Sequence, residues 1–317
     1  MALWLTEKDV RELLPMDQCV QLVENVFQQA GQGQTVNQSR RRIRLPAGYQ
    51  HVMNAAVLGS GAVGLKAYVS GGGPSRSVVV LWDSESGALL AIMQAQRLGQ
   101  VRTGAASGVA TKYMARPDAS TVGLFGTGNQ AITQLEAVCA VRPVRQVRCY
   151  SRTPERRETF ARRMASTLKL DVRPVSTADE CVAGADIVIA ITNSSEPVFN
   201  GEKLKPGAHV NAAGSNSWTR REVDEATVRR SSLVAVDDLP QAKVECGELI
   251  YAVERGIFRW EQAVELGEVV AGRVPGRSSD DAITLFESQG IATEDVVAAL
   301  HVYSMARERG LGTELPA

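Results

Sequence analysis

Residues 120–131, Ser-Thr-Val-Gly-Leu-Phe-Gly-Thr-Gly-Asn-Gln-Ala, constrain this chain more than any other stretch. Val122, Leu124 and Phe125 form an apolar, strand-like run. It leads into Gly126-x-Gly128-x-x-Ala131, and a helix-like segment, Ile132 to Ala140, follows. Strand, glycine turn and helix in this order are the setting in which a G-x-G-x-x-G/A element binds a dinucleotide. Gly126 permits the tight turn, Gly128 lets the backbone approach a pyrophosphate, and Ala131 keeps the helix close to the strand. The phosphates then meet unpaired N–H groups at the helix N-terminus, aided by its dipole. A glycine turn that binds nothing has the same pattern, but the flanking strand and helix favour the ligand.

From Ser120 onward the chain alternates strand and helix. Candidate strands are Thr121–Phe125, Gln146–Tyr150, Val172–Val175, Ile187–Ile191, His209–Ala213 and Leu233–Val236. Runs as apolar as Ile187–Ile191 suit a parallel sheet covered on both faces. Upstream, Thr6 and Asp9 make a capping box for a first short helix. Met16 to Gln29 has helical periodicity and stops at Gly31 and Gly33. Short strands follow at Arg40–Leu45, His51–Val57, Val63–Ser70, Ser77–Trp82 and Leu89–Met93, with turns at Gly71-Gly72-Gly73-Pro74 and Ser84–Gly87. They read as a separate antiparallel sheet. A helix runs from about Thr103 to Ala115, and a last one, Thr293 to Arg309, crosses back to the first domain. The expected fold is α/β: a Rossmann-type doubly wound parallel sheet at 116–292, plus a discontinuous α+β substrate-binding and dimerisation domain at 1–115 and 293–317. Val78, Val79, Val80 and Leu81 are apolar on both faces of their strand, and the first domain has too few helices to cover both. A partner subunit is therefore expected on one face.

The 35 Lys+Arg balance the 35 Asp+Glu, so no global field draws nucleic acid or a membrane surface. No apolar run reaches the length of a membrane span. Five scattered cysteines without a C-x-x-C pair, and no leader in the N-terminal sequence, read as reduced thiols in a cytoplasmic protein. His51, His209 and His301 lie far apart, and no Cys/His cluster has metal spacing, so no metal is expected.

The end of the second parallel strand separates NAD from NADP: an acidic residue holds the ribose 2′-OH, whereas an Arg accepts a 2′-phosphate. Here the strand ends Ser151-Arg152-Thr153, with Arg156 and Arg157 beyond and no carboxylate before Glu155. Two hydroxyls around a guanidinium form a 2′-phosphate clamp, so NADPH is preferred, with NADH possible. On the substrate side, Gln100 to Ser107 opens a helix with Arg102, Thr103 and unpaired N–H groups, a cradle for an anion. Lys66 interrupts an apolar strand and points either to solvent or into a site. Arg40, Arg42 and Arg44 alternate, so they share one face and repel unless solvated or given an anion. Taken alone, each of these is more often a surface charge; taken together with a cofactor domain, they suggest a carboxylate pocket.

Arg102–Ser107 and Gly126–Ala131 resemble the paired signature of the ornithine cyclodeaminase/mu-crystallin family. Lys66 in its Gly-x-Lys strand, Pro206–Ser215, Val236-Asp237-Asp238 and Thr284–Ala292 extend the match over most of the chain in the same order. The resemblance implies a nicotinamide cofactor, an amino or imino acid substrate, and a homodimer. It implies substrate-carboxylate roles for Arg42, Lys66 and Arg102, with Arg44 as the alternative to Arg42. Cofactor contacts are implied at Thr103, at Gly126, Thr127, Gly128, Asn129, Gln130 and Ala131, at Ser151, Arg152, Thr153 and Arg156, and at Thr192, Ala213 and Gly214. The cyclodeaminase has an Asp two residues after this last glycine, which holds the substrate amino group; this chain has Asn216. An amide accepts a hydrogen bond but takes up no proton and holds no ammonium by charge.

That departure argues for an NAD(P)H-dependent reductase of an imine or imino acid, or its reverse on an α-amino acid. Lys66, Arg102 and Asn216 are the expected catalytic set. Lys66, a lysine among arginines, has a lowered pKa suited to proton donation. The alternatives are ornithine cyclodeamination with NAD recycled in place, and a non-enzymatic NADPH-binding protein.

Overall fold

The computed structural model describes residues 2–71 and 76–316; Gly72, Gly73 and Pro74 of the expected glycine turn lie outside them. The chain divides into two compact units, Met1–Arg102 with Ile291–Ala317, and Thr103–Gly290.

In the first unit, Thr6 caps the helix Glu7–Leu13 with Asp9 completing the capping box. The helix Met16–Gly31 ends beside Gly33, which has φ +72°. Among the described residues the sheet has the order Thr313–Glu314, Leu3–Leu5, Leu89–Gln94, Ser77–Asp83, Ala62–Ser70, Gly48–Val57, Thr35–Leu45. Leu3–Leu5, a strand not expected ahead of the first helix, pairs parallel with Leu89–Gln94. Three residues are too few to show a period of two, so this strand has no signature in the sequence.

The two faces of this sheet differ. Met53, Val57, Val79, Leu81 and Met93 alternate on the face that packs under the helix Ala292–Arg309, and all are buried. The opposite face carries Val52, Ala56, Val63, Leu65, Val78, Val80, Trp82 and Ile92, which stay half-exposed. Val36, Ile43 and Val69 on it are exposed outright.

The helix Gln96–Met114 starts a full two turns before the expected Thr103. Its first N–H groups are capped by Glu7, whose Oε1 accepts from Gln96 N at 2.6 Å and Oε2 from Arg97 N at 2.9 Å. The anion cradle expected at Gln100–Ser107 is therefore not formed by backbone donors. Those N–H groups lie inside a continuous helix, where the ladder consumes them.

In the second unit every strand pairing is parallel. The order is Ala263–Glu265, Ser231–Val236, Ile283–Glu287, His209–Ala212, Ile187–Ala190, Thr121–Phe125, Gln146–Tyr150, Asp171–Pro174. Successive residues feed opposite layers. Val122, Leu124, Ile187 and Ile189 enter one core, and Phe125, Val188, Val210 and Leu285 the other. The expected doubly wound sheet is present. Two of its strands, Ala263–Glu265 and Ile283–Glu287, were not expected, and the second sits mid-sheet beside His209–Ala212. It is short and is followed by Ser-Gln-Gly, so it reads as a loop margin. Among the described residues no helix is long and apolar enough to cross a membrane.

Candidate functional site

The glycine turn of the second unit is built as a phosphate site requires. Gly126 has φ +102°, and a Cβ there would collide with the Ile191 carbonyl oxygen. Gly128 is the N-cap of the helix Asn129–Val141 and offers no side chain to its N–H groups. A Cβ on Gly128 would meet only open space, so a ligand can reach the backbone there. Ala131 is buried against the sheet. These residues fit a dinucleotide pyrophosphate.

Beside the turn lies an open cleft of about 350 Å³, lined by Thr127, Gly128, Asn129, Glu155, Arg156, Arg163 and their neighbours. Arg152 and Thr153 are exposed at the end of their strand, and Ser151 is half-buried. The Ser151 hydroxyl donates to the Thr153 carbonyl at 3.2 Å, and Arg157 donates to the Ser151 carbonyl at 2.9 Å, so this turn is braced. Arg163 was not expected; it lies seven residues, two turns, beyond Arg156 on the same helix face, and no motif of the glycine turn points to it.

Across the first strand, Thr192 and Gly214 follow the adjacent strands Ile187–Ala190 and His209–Ala212. Both backbone N–H groups donate to one carboxylate, Glu222: Thr192 N to Oε1, and Gly214 N to Oε2 at 2.6 Å. Ala213 N donates to the Ala190 carbonyl at 2.9 Å. Asn216 is exposed in the loop beyond. Burial pushes the Glu222 carboxyl up to about 8, against the pull of its bonds to Thr192. Behind it, Cys246, Glu248 and Glu287 bring their ligand-type atoms within 4.8 Å of one another. Burial raises all three pKa values, Glu248 to about 7 and the other two well beyond their ordinary range.

In the first unit the cations sit in a buried cluster. Lys66 and Arg102 are 6% and 4% exposed. Asp295 Oδ1 accepts from Lys66 Nζ at 3.0 Å and from Arg102 Nε at 2.8 Å, and Glu294 Oε2 accepts from Arg102 Nη1 at 2.8 Å. Burial, then the Arg102 charge, lower the Lys66 pKa to about 8, while Asp295 holds it up. Burial opposes the Arg102 charge too, but Asp295 and Glu294 outweigh it and raise its pKa. Burial lifts Glu294 to about 7 despite Arg102.

Arg40, Arg42 and Arg44 divide by depth. Arg40 is buried, Arg42 half-buried and Arg44 exposed. A bulge between Gln38 and Arg41 sets the register, after which Arg42 lies opposite His51. His51 stacks on Tyr68 with ring centroids 4.3 Å apart and donates to or accepts from Ser70 Oγ at 2.7 Å. Burial, Arg42 and Arg40 hold its pKa down at about 4, so it stays neutral. Thr103, the first residue of the second unit, receives a hydrogen bond at its carbonyl from Gln134 at 3.1 Å.

Glu294 and Asp295 were missed by the sequence reading. In the first turn of a helix they look like ordinary complements to its dipole. Their partners lie 229 and 193 positions away for Asp295, and no local spacing records such a pairing.

In class the protein is a nicotinamide-dependent oxidoreductase, with one unit built on a parallel sheet with a glycine turn and another carrying a buried cationic cluster. The ornithine cyclodeaminase/mu-crystallin family model matches residues 2–310, and the chain belongs to that family. It is 38% identical to a delta(1)-pyrroline-2-carboxylate reductase of Bacillus cereus, over 76% of this chain and 74% of that protein. Two solved structures superpose with a TM-score of 0.94. One is the Thermococcus litoralis delta(1)-pyrroline-2-carboxylate reductase in complex with NADH and L-proline, 34% identical, covering 99% of this chain and 100% of that one. The other is an archaeal alanine dehydrogenase dimer with bound NAD, 32% identical, covering 99% of each chain.

The shared oxygen of Asp295 yields a prediction. Asp295→Asn removes the charge that offsets two buried cations, and is expected to destabilise the fold by about 3–5 kcal/mol. Urea denaturation at pH 7 reads this directly; a loss below about 1 kcal/mol contradicts a buried, charge-compensated cluster.

Proposed function

We propose that the chain is a reductase of a small α-imino acid, with NADPH as the preferred coenzyme, working reversibly on the corresponding α-amino acid. The observation that carries this reading is the pair Lys66 and Arg102, both buried and both held by Asp295 Oδ1. A guanidinium has five N–H donors and an ammonium three, so each has capacity beyond its bonds to Asp295 and Glu294. Burial makes a charge-assisted hydrogen bond to a substrate carboxylate strong, and two such bonds fix its orientation. Arg42, half-buried on the same sheet, is the third carboxylate contact, with exposed Arg44 the less favoured alternative.

A reduced nicotinamide, when bound, supplies the hydride that converts the imine carbon to the amine carbon. The chain's own task is to hold the acid and manage one proton. Protonation of the imine nitrogen makes its carbon a better hydride acceptor, and Lys66, with a pKa of about 8, is poised to provide that proton near neutrality. In the reverse direction the neutral amine of Lys66 takes it back. Asn216, an amide where a cyclodeaminase has an acid, supports the reductase over the lyase. An amide offers a substrate ammonium no compensating charge.

For the coenzyme, Arg152 and Thr153 stand exposed at the strand end, and Arg156 lines the adjoining cleft. Both arginines suit a 2′-phosphate, although Glu155 on the same cleft opposes it. For assembly, the half-exposed face with Val63, Leu65, Val78, Val80 and Trp82 is broad and apolar. A second copy of this unit covering that face in a homodimer satisfies it.

Three outcomes check this reading. With Δ1-pyrroline-2-carboxylate and related cyclic imino acids, NADPH oxidation is expected, and kcat/KM falls as pH rises through about 8, because reduction needs protonated Lys66. A flat profile from pH 6 to pH 10 counts against Lys66 as the proton donor. Changing Arg152 and Arg156 to Ala is expected to raise KM for NADPH by about tenfold while moving that for NADH less than about twofold. Equal effects on both coenzymes remove the 2′-phosphate role. In light scattering, the wild type is expected at twice the chain mass and Leu65→Glu at the single-chain mass.

A further inference from the structure

Glu222 is fully buried, lies outside every motif that marks the coenzyme site, and takes no part in the proposed chemistry. We infer that it is a positioning residue for the nicotinamide half of the coenzyme, a conclusion that rests on the dinucleotide reading of the second unit.

Three observations place it. First, its carboxylate joins two loops. The loop after Ile187–Ala190 donates Thr192 N to Oε1, and the loop after His209–Ala212 donates Gly214 N to Oε2. Second, its own backbone is pinned on both sides: Glu222 N donates to Glu248 Oε1 at 2.8 Å, and Glu222 O accepts from Val198 N at 2.9 Å. The carboxylate therefore has little freedom to follow the loops; they follow it. Third, the space between them is closed. A Cβ on Gly214 would strike both the Thr192 backbone and Glu222 Oε2.

Topology says what these loops serve. In a doubly wound sheet the ligand lies across the C-terminal ends of the strands, at the point where strand order reverses. Here the reversal lies between Thr121–Phe125 and Ile187–Ala190, since Gln146–Tyr150 and Asp171–Pro174 run to the other side. The glycine turn and Arg152 belong to the adenosine side. Thr192 and Gly214 belong to the opposite side, where the nicotinamide half falls. Two backbone donors converge at that edge, and converging buried donors need an acceptor between them. A carboxylate serves both. An amide serves one and turns an N–H₂ donor against the other.

The test uses Glu222→Gln in the full-length protein at pH 9, where the Glu222 carboxyl is ionised, with calorimetric titration of NADPH and of adenosine 2′,5′-bisphosphate, the fragment that lacks the nicotinamide half. NADPH binding is expected to weaken at least about fivefold, while the fragment stays within about twofold of wild type. Equal weakening of both overturns the inference in favour of a general structural role, and no weakening of either overturns it outright. Amide hydrogen exchange on wild type supplies a second arm that does not depend on the variant folding. Thr192 and Gly214 amides are expected to exchange far more slowly than those of the exposed loop 216–220, and equal rates overturn the brace. If wild type binds neither ligand, the coenzyme reading fails, and the exchange arm still decides whether Glu222 holds the loops.

Discussion

The first unit depends on a single oxygen. Asp295 Oδ1 lies within 3.0 Å of Lys66 Nζ and 2.8 Å of Arg102 Nε. Two cations of this depth repel each other strongly in a medium of low polarity, and neither strand nor helix propensity compensates. What makes the arrangement tolerable is the arrival of the last helix, Ala292–Arg309, whose first turn carries Glu294 and Asp295. The chain thus leaves this unit at Arg102 and returns to it at Ile291, bringing back the counter-charge that Lys66 and Arg102 require. The discontinuity of the unit and its electrostatics are one fact. Burial opposes the charge on Glu294 even as Arg102, 2.8 Å away, favours it.

The second unit solves the opposite problem. Its buried excess is acidic: Glu222, Glu248 and Glu287 lie among one another, and burial raises each. The Glu222 carboxylate is held by backbone N–H groups, those of Thr192 and Gly214. Asp237 follows the same rule, its Oδ2 accepting from the N–H groups of Gln289 and Gly290 at 2.7 and 2.6 Å. Carboxylates at the C-terminal ends of parallel strands gather the loops that leave those ends. In the first unit the buried acids face cations; in the second they face the backbone. Replacing an acid by its amide separates the two uses, since a backbone brace loses one acceptor while an ion pair loses its whole attraction.

Much of this was legible in the sequence wherever the signal is local. The run Thr121–Phe125 into Gly126 and Gly128 specifies strand, turn and helix within a dozen residues, and the structure has them at those positions. The alternation of Val79 and Leu81 with Val78 and Val80 marks a strand between two apolar environments, and the faces do differ in that way. Legibility fails where the determinant is distant. Glu7 caps a helix that starts 89 positions later, so the true start at Gln96 was hidden and Arg102 was read as an N-terminal residue. Ile283–Glu287 is a strand because His209–Ala212 and Ser231–Val236 flank it, not because of its own pattern. The candidate site divides likewise. Lys66 announces itself as a charge inside an apolar strand, whereas Asp295 and Glu222 look like ordinary acids of a helix start and a loop.

The burial gradient along Thr35–Leu45 shows how a uniform sequence feature acquires distinct roles. Arg40, Arg42 and Arg44 are chemically identical and equally spaced. The bulge after Gln38 and the position of Arg44 near the strand end grade them from buried to exposed. At the buried end, Arg40 lowers the Lys66 pKa and so belongs to the field of the cationic cluster. One step outward, Arg42 faces His51, which its charge and burial keep neutral, and His51 in turn stacks on Tyr68. A protonated imidazole there would add another positive charge to an already cationic face. Neutral, it is a flat surface beside the cations. The sheet thereby sets its cations beside a neutral, stacked pair of rings.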